Sequence, residues 1–156
     1  MSKPKAKQDF IDPTRGKVFS ARFVIAIVLV LVGIAWIAYY YTQVRVDPTV
    51  LEPGDPGSPK FMADLGDWNY LIGFGAIMLG LALSAHPSTP LGRGRGVVVG
   101  MLGCFLIGLL WICTYYGVGT GDHADDLAVF NDLGQKNLFV GIGFMAVGFT
   151  FATKWE

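Results

Sequence analysis

The chain has 156 residues, of which 53% are hydrophobic and only 15% carry a charge, and its mean hydropathy is +0.49. This composition argues against an ordinary soluble domain, in which charged residues make up about a quarter of the chain. The formal net charge is zero, so only the distribution of the charges along the chain is informative. Cys104 and Cys113 both lie inside apolar runs, which indicates neither a disulfide framework nor a metal site.

Residues 1–21 form a polar, lysine-rich segment that Pro4, Pro13 and Gly16 interrupt. We expect a flexible basic tail on the cytoplasmic side. It is not a signal peptide, because the apolar run after it is too long for one and no cleavage pattern follows. The tail is either a topology signal attracted to anionic lipid or a docking arm for a cytoplasmic partner.

The first apolar run, Phe23 to Tyr41, carries no charge and is long enough to cross a bilayer. It ends in Trp36 and three tyrosines, which are typical of a membrane–water interface. The following loop is rich in proline and glycine as far as Ser58, which we predict as the N-cap of a short helix beginning at Pro59. Four apolar side chains then share one face, which predicts a helix lying in the interface: Phe61, Met62, Leu65 and Trp68.

Three more apolar runs follow: Tyr70 to Ala85, Val97 to Tyr116 and Leu138 to Ala152. A basic linker at residues 87–96 separates the first two of these. Small residues at helical spacing let helices approach closely in lipid, and we predict that these residues pack between helices: Gly73, Ala76, Gly80, Ser84, Gly100, Gly108, Gly141 and Gly148. The acidic loop with Asp122, His123, Asp125 and Asp126 does not match the spacing of an EF-hand, so we predict no metal site and no cofactor there.

The chain repeats itself. Asp64-Leu65-Gly66 with Asn69 returns as Asp132-Leu133-Gly134 with Asn137, and the apolar runs that follow align without a gap. The Gly-Ile-Ala-Trp stretch that ends at Trp36 likewise returns as the Gly-Leu-Leu-Trp stretch that ends at Trp111. The predicted fold is therefore an all-α membrane protein with four transmembrane helices, built as two tandem two-helix repeats (residues 22–86 and 97–156) with short interfacial helices.

The basic residues predict the orientation. Nine of the twelve lysines and arginines lie in the tail through Arg22, in the middle linker and at the C-terminus. Because basic residues are enriched on the cytoplasmic side, both termini and the linker are predicted to be cytoplasmic. The two long loops would then lie outside.

The first unit resembles CrgA, a family of small two-span division proteins of actinobacteria. The resemblance rests on the basic tail with Asp9-Phe10, on a span closed by tryptophan and on the element Met-Ala-Asp-Leu-Gly-Asp-Trp-Asn-Tyr from Met62 to Tyr70. The second unit is similar but has Lys136 and Leu138 in place of Trp68 and Tyr70. The whole chain thus looks like a tandem CrgA.

This resemblance implies a non-enzymatic membrane adaptor of septum formation in the plasma membrane, in contact with the FtsZ ring and with septal peptidoglycan-synthesis proteins. We expect no nucleic-acid partner; the chain could also form homo-oligomers. The candidate partner surface lies in the first unit, where aromatic side chains could anchor a contact: Asp64, Leu65, Gly66, Trp68, Asn69 and Tyr70. The alternative is that Trp68 and Tyr70 only belong to the interfacial belt.

Two other functions stay open. Four spans in two repeats is a shape that transporters use, although no predicted span contains an ionisable residue of the kind that marks a proton or substrate path. The chain could also be an accessory subunit of another membrane complex.

Overall fold

The computed structural model describes residues 19–46, 54–119 and 127–154. Most of the predicted tail and the acidic loop with His123 lie outside these residues. Within them, every regular element is helical, and the helices are α1 (Ala21–Tyr39), α2 (Lys60–Leu65), α3 (Trp68–Ser84), α4 (Arg95–Gly117), α5 (Phe130–Leu133) and α6 (Asn137–Ala152). A π-helical turn, Tyr40–Val44, extends α1, and a 3-10 turn, Gly134–Lys136, precedes α6.

The four long helices form two antiparallel hairpins, α1 with α3 and α4 with α6. The same contact closes each hairpin. A Cβ atom placed on Gly33 would lie 2.5 Å from the carbonyl oxygen of Gly73, and one placed on Gly108 would lie 2.5 Å from that of Gly141. No side chain larger than hydrogen fits at such a crossing, so these glycines set how closely the backbones approach. At this crossing, equivalent positions of the two repeats therefore make equivalent contacts.

The hairpins lie side by side through α3 and α6, which run in the same direction. Asp67 meets Lys136 at one end of this pair, and Ala85 shares a buried cluster with Val147 and Phe151 at the other. We call the first end the loop end and the second the linker end. A parallel pair is what a tandem repeat of two-helix units requires, because each unit returns the chain to the side from which it started.

Among the described residues, two helical stretches are long and apolar enough to cross a membrane: Ala21–Val44, with a hydropathy of 2.6, and Arg95–Gly117, with 2.4. Only 17% and 22% of their most apolar windows are buried within the chain. Their apolar side chains therefore point outward, unlike those of a core helix in a soluble protein. α3 is a shorter apolar helix of 17 residues and α6 has 16, so the described residues establish apolar helices that suit a membrane, with two of full spanning length.

Two local predictions were wrong. Ser58 is not the N-cap of α2, because Pro59 occupies that position and makes no side-chain cap hydrogen bond. Ser58 instead uses its carbonyl oxygen, which accepts a 3.1 Å hydrogen bond from the Tyr39 hydroxyl. The linker predicted at residues 87–96 also ends early, because α4 already begins at Arg95 after a turn in which Gly94 adopts a φ of 52°.

Candidate functional site

The repeated Asp-Leu-Gly-x-x-Asn element builds one kind of turn twice, at the loop end. Gly66 has φ 50° and ψ −130°, and Gly134 has φ 48° and ψ −129°. Residues with a side chain rarely adopt this region, whereas glycine adopts it readily. The turn therefore explains why the motif has a glycine at this position. It redirects the chain from the short helix α2 or α5 into the long helix α3 or α6.

The asparagine of the motif fixes this turn. Asn69 Nδ2 donates to the carbonyl oxygens of Met62 at 2.7 Å and of Gly66 at 2.8 Å. Asn137 Nδ2 makes the equivalent two bonds, to Phe130 and Gly134, both at 2.8 Å. Both asparagines are fully buried. The carbonyl oxygens of Gly66, Phe130 and Gly134 also accept a backbone N–H, so each asparagine adds second bonds that tie its short helix and turn to the long helix that follows.

The two turns differ in one bond. In the second unit, the indole Nε1 of Trp111 donates to Asn137 Oδ1 at 3.1 Å. In the first unit, the equivalent atoms, Trp36 Nε1 and Asn69 Oδ1, are both buried and have no hydrogen-bond partner within the part of the chain that the structure describes. The second turn therefore has one hydrogen bond more than the first.

A buried polar link joins the two units at the loop end. The Asp132 carboxylate accepts from Arg45 Nη1 through one oxygen and from the Tyr70 hydroxyl through the other. The side chains of Arg45 and Asp132 are only 9% and 8% exposed. Arg45 also donates to the Tyr41 hydroxyl at 3.2 Å and lies 4.1 Å above the centre of the Tyr41 ring. Asp132 of the second unit thus holds two side chains of the first.

A second link between the units is exposed. Lys136 Nζ lies 2.6 Å from Asp67 Oδ2, and these side chains are 59% and 55% exposed. Lys136 stands where the first unit has Trp68, and Leu138 stands where it has Tyr70. The second unit therefore departs from the motif at Lys136, where it contacts the first unit. The two units are not equivalent in the structure.

An apolar cleft of about 480 Å³ opens between α3 and α6 at the loop end. Trp68 and Leu71 of α3 form one wall and Phe139 of α6 stands on the other. These side chains are 65%, 60% and 73% exposed. The Asp67–Lys136 pair lies at the mouth of the cleft. A concave, mostly apolar surface with a few polar groups is typical of a binding site.

The residues of the predicted partner surface separate into two groups. Asp64 and Trp68 are exposed, and Leu65 and Gly66 are partly so. Asn69 and Tyr70 are buried, with exposed fractions of 0% and 1%. The Tyr70 ring packs edge-on against Tyr40 at 5.2 Å, besides its bond to Asp132. Asn69 and Tyr70 therefore stabilise the turn and the junction of the units, and Trp68 is the large side chain of this set that an outside partner can reach.

The residues predicted to pack between helices differ in burial. The glycines among them are buried, and a Cβ atom on most of them would overlap a neighbouring helix. Ser84 is also buried and its hydroxyl donates to the Leu81 carbonyl oxygen at 2.6 Å, whereas Ala76 is partly exposed. The glycines named are Gly73, Gly80, Gly100, Gly108, Gly141 and Gly148.

Sequence reasoning missed the residues that join the units. Arg45 is one of few basic residues in the long loops, Asp132 repeats Asp64, and Phe139 is one apolar residue among many, so none of them stands out in the sequence. The signal that could have found the junction is the replacement of Trp68 by Lys136 and of Tyr70 by Leu138 in the second unit. Among the described residues, no group of three histidine, cysteine or acidic side chains is placed to hold a metal.

One family of known proteins matches both halves of the chain. The sequence profile of the family described as cell division protein CrgA matches residues 3–86 and again residues 90–156. A cell division protein CrgA from Streptomyces avermitilis is 38% identical over 66 residues, which are 42% of this chain and 71% of that protein. Those from two strains of Corynebacterium glutamicum are 39% identical over 61 residues, 39% of this chain and 54% of theirs. No solved structure matches the chain.

These matches agree with the geometry. Each relative aligns with less than half of this chain, and the family profile matches twice in succession. The boundary between the two matched segments falls in the linker between α3 and α4, where one hairpin ends and the next begins. The chain therefore belongs to the CrgA family of cell division proteins and carries the unit of that family twice in tandem.

Proposed function

We propose that the protein is a non-enzymatic, four-span adaptor of the plasma membrane that acts in septum formation, with both termini and the linker in the cytoplasm. The family membership supports the division role. The outward-facing apolar side chains of α1 and α4 support a location in the membrane. The basic residues of the tail, linker and C-terminus support the proposed orientation. The loop end then faces outward, and the linker end faces the cytoplasm.

Reporter fusions test this orientation. Fusions after Met1, near Gly94 and at Glu156 should report the cytoplasm, and fusions near Gly54 and Asp122 should report the outside. A linker that reports the outside would contradict both the four-span arrangement and the tandem arrangement of parallel units.

The partner site is the cleft between α3 and α6, and its occupant is a transmembrane segment of a septal cell-wall synthase or another division membrane protein. The observation that carries this proposal is that Trp68, Leu71 and Phe139 stand mostly exposed around a concave apolar surface. Lipid tails are as apolar as these side chains, so packing and shape must drive helix association there. A cleft with an aromatic side chain on each wall provides both a packing surface and a complementary shape. The FtsZ ring would be reached from the opposite, cytoplasmic end through the basic tail.

A pull-down of division membrane proteins from gently solubilised cells tests the site. We expect Trp68→Ala and Phe139→Ala each to lower partner recovery, by about thirtyfold if they act as binding hot spots of about 2 kcal/mol. Lys136→Ala should stay near wild type, because an exposed ion pair contributes little. Leu110→Ala is the matched control, since Leu110 is 63% exposed but lies on α4.

Two outcomes would contradict the proposal, provided that all variants reach equal membrane levels. If Trp68→Ala and Leu110→Ala have the same effect, Trp68 only meets lipid as part of the interfacial belt. If a fluorescent fusion of the wild type is distributed uniformly in the membrane of dividing cells, without enrichment at the septum, the division adaptor role itself is wrong. Recovery of a respiratory complex in place of division proteins would favour an accessory subunit.

A further inference from the structure

A second groove lies at the linker end, and both units form it. It has a volume of about 640 Å³ and lies between the α1–α3 hairpin and α6. Arg22 from the first turn of α1, His86 from just after α3 and Lys154 from just after α6 line its rim. His86 and Lys154 occupy equivalent positions in the two repeats, so the second helices of both units bring a basic side chain to one place.

The rim offers donors to an anion. A guanidinium carries five N–H donors and an ammonium carries three. Arg22 Nη1 donates to the His86 ring, at 2.5 Å from Nε2 and 3.0 Å from Nδ1, and Nδ1 also accepts from the Ser88 N–H at 3.1 Å. The imidazole is therefore an acceptor that positions Arg22, and the donors for an anion are the other N–H groups of Arg22 and the Lys154 ammonium. No carboxylate lines the groove in the part of the chain that the structure describes. The hydroxyls of Thr150 and Thr153 donate to backbone oxygens of α6, so the basic side chains are the ones placed to bind a ligand.

The walls of the groove are apolar. Ile25 stands on the α1 side and Phe149 on the α6 side, and these side chains are 52% and 62% exposed. Ala146 lies deeper on α6, about 12 Å from Lys154 along the helix axis at 1.5 Å per residue. The groove therefore begins at basic groups and continues along apolar side chains for the length of several methylene groups.

We propose that this groove binds one anionic phospholipid of the inner leaflet. Its phosphate would lie between Arg22 and Lys154, with His86 holding Arg22 in place, and an acyl chain would lie between Ile25 and Phe149. The basic rim favours an anionic over a zwitterionic head group, as in other basic pockets between helices on the cytoplasmic side. The apolar walls favour a lipid over a soluble phosphate. The inference rests on the proposed membrane orientation but not on the division partner.

Native mass spectrometry of the full chain, released from nanodiscs of equal parts phosphatidylglycerol and phosphatidylcholine, tests this site. The wild type should retain one phosphatidylglycerol in preference. Arg22→Gln and Lys154→Gln should each lower that retention by about fivefold, the effect expected of one basic residue near an anionic surface. Ala146→Phe should lower it without any change in charge, because the larger side chain fills the groove. Circular dichroism confirms that each variant keeps its helices.

Arg95→Gln is the matched control, since Arg95 lies at the same end of the bundle but outside the groove. If it lowers phosphatidylglycerol retention as much as Arg22→Gln does, general attraction to the membrane explains the effect and the site is refuted. Displacement of the lipid by inorganic phosphate would also refute it. Trp68→Ala, at the loop end, should keep full retention, so loss of lipid and loss of the division partner report on different sites.

Discussion

Replacing Asp132 by alanine should destabilise the junction of the two units far more than replacing Asp67, although each aspartate forms an ion pair between the units. Asp132 is 8% exposed and faces Arg45, which is 9% exposed. Asp132→Ala takes a carboxylate away from the buried Arg45 guanidinium, and removing one partner of a buried pair costs up to about 3–5 kcal/mol. The Tyr70 hydroxyl also loses its acceptor, while the Tyr41 ring beneath Arg45 offsets part of the loss.

Asp67 provides the matched comparison. It is 55% exposed and its partner Lys136 is 59% exposed, so water solvates either group once the other is gone. An exposed pair of this kind contributes about 0–1 kcal/mol, and salt screens it. Asp67→Ala should therefore have a small effect that disappears at high ionic strength, whereas the effect of Asp132→Ala should persist.

The assay is unfolding of the purified protein in mixed micelles, followed by tryptophan fluorescence and circular dichroism. Asp64→Ala, at the equivalent exposed position of the first unit, serves as a further control. The double variant Arg45→Met/Asp132→Leu should recover most of the stability lost in Asp132→Ala, because apolar residues of similar size can replace a buried pair. Equal losses in Asp132→Ala and Asp67→Ala, or no recovery in the double variant, would refute the assignment of a buried link.

Two further predictions use the same unfolding assay. Asn137→Ala should cost more stability than Asn69→Ala by about 1 kcal/mol, since Asn137 makes one hydrogen bond more, to Trp111; equal losses would mean that this bond contributes nothing. Gly108→Ala should lower the free energy of unfolding by about 1–3 kcal/mol, because its Cβ atom would overlap the facing helix. Gly103→Ala on the same helix has open space around the new atom and should be neutral or stabilising, since alanine forms helices better than glycine; a loss equal to that of Gly108→Ala would contradict the close approach.

The repeat and the position of its turns could be predicted from the sequence because both depend on local chemistry. A glycine three residues before an asparagine is a short-range pattern, and the structure explains each residue locally. Gly66 provides a positive φ, and Asn69 binds two nearby carbonyl oxygens. The apolar runs were likewise found as helices because their composition alone favours them. Their ends were less predictable, since the π-helical turn after α1 has no signal in periodicity.

The junction between the units could not be predicted, because its partners are far apart in sequence. Arg45 and Asp132 are 87 positions apart, and Tyr70 and Asp132 are 62 apart. Tyr70 shows the difficulty best. A tyrosine at the end of an apolar run suits a membrane interface, a partner contact and a buried hydrogen bond equally well, and only the position of Asp132 decides that it is buried.

The cleft between α3 and α6 is open because the two units have different residues at equivalent positions. Two identical units packed about a two-fold axis would make each contact twice, so a glycine on α3 and its equivalent on α6 would be covered alike. Here Met78 covers Gly143, with its methyl carbon 2.6 Å from where a Cβ atom would stand, while nothing lies within 4 Å of that position on Gly75. The residue equivalent to Met78 is Ala146, which is too short to cover Gly75. Gly75 consequently lines the cleft. Because the two units are joined in one chain, a methionine in one unit and an alanine in the other can close one side of the junction and leave the other side open for a partner.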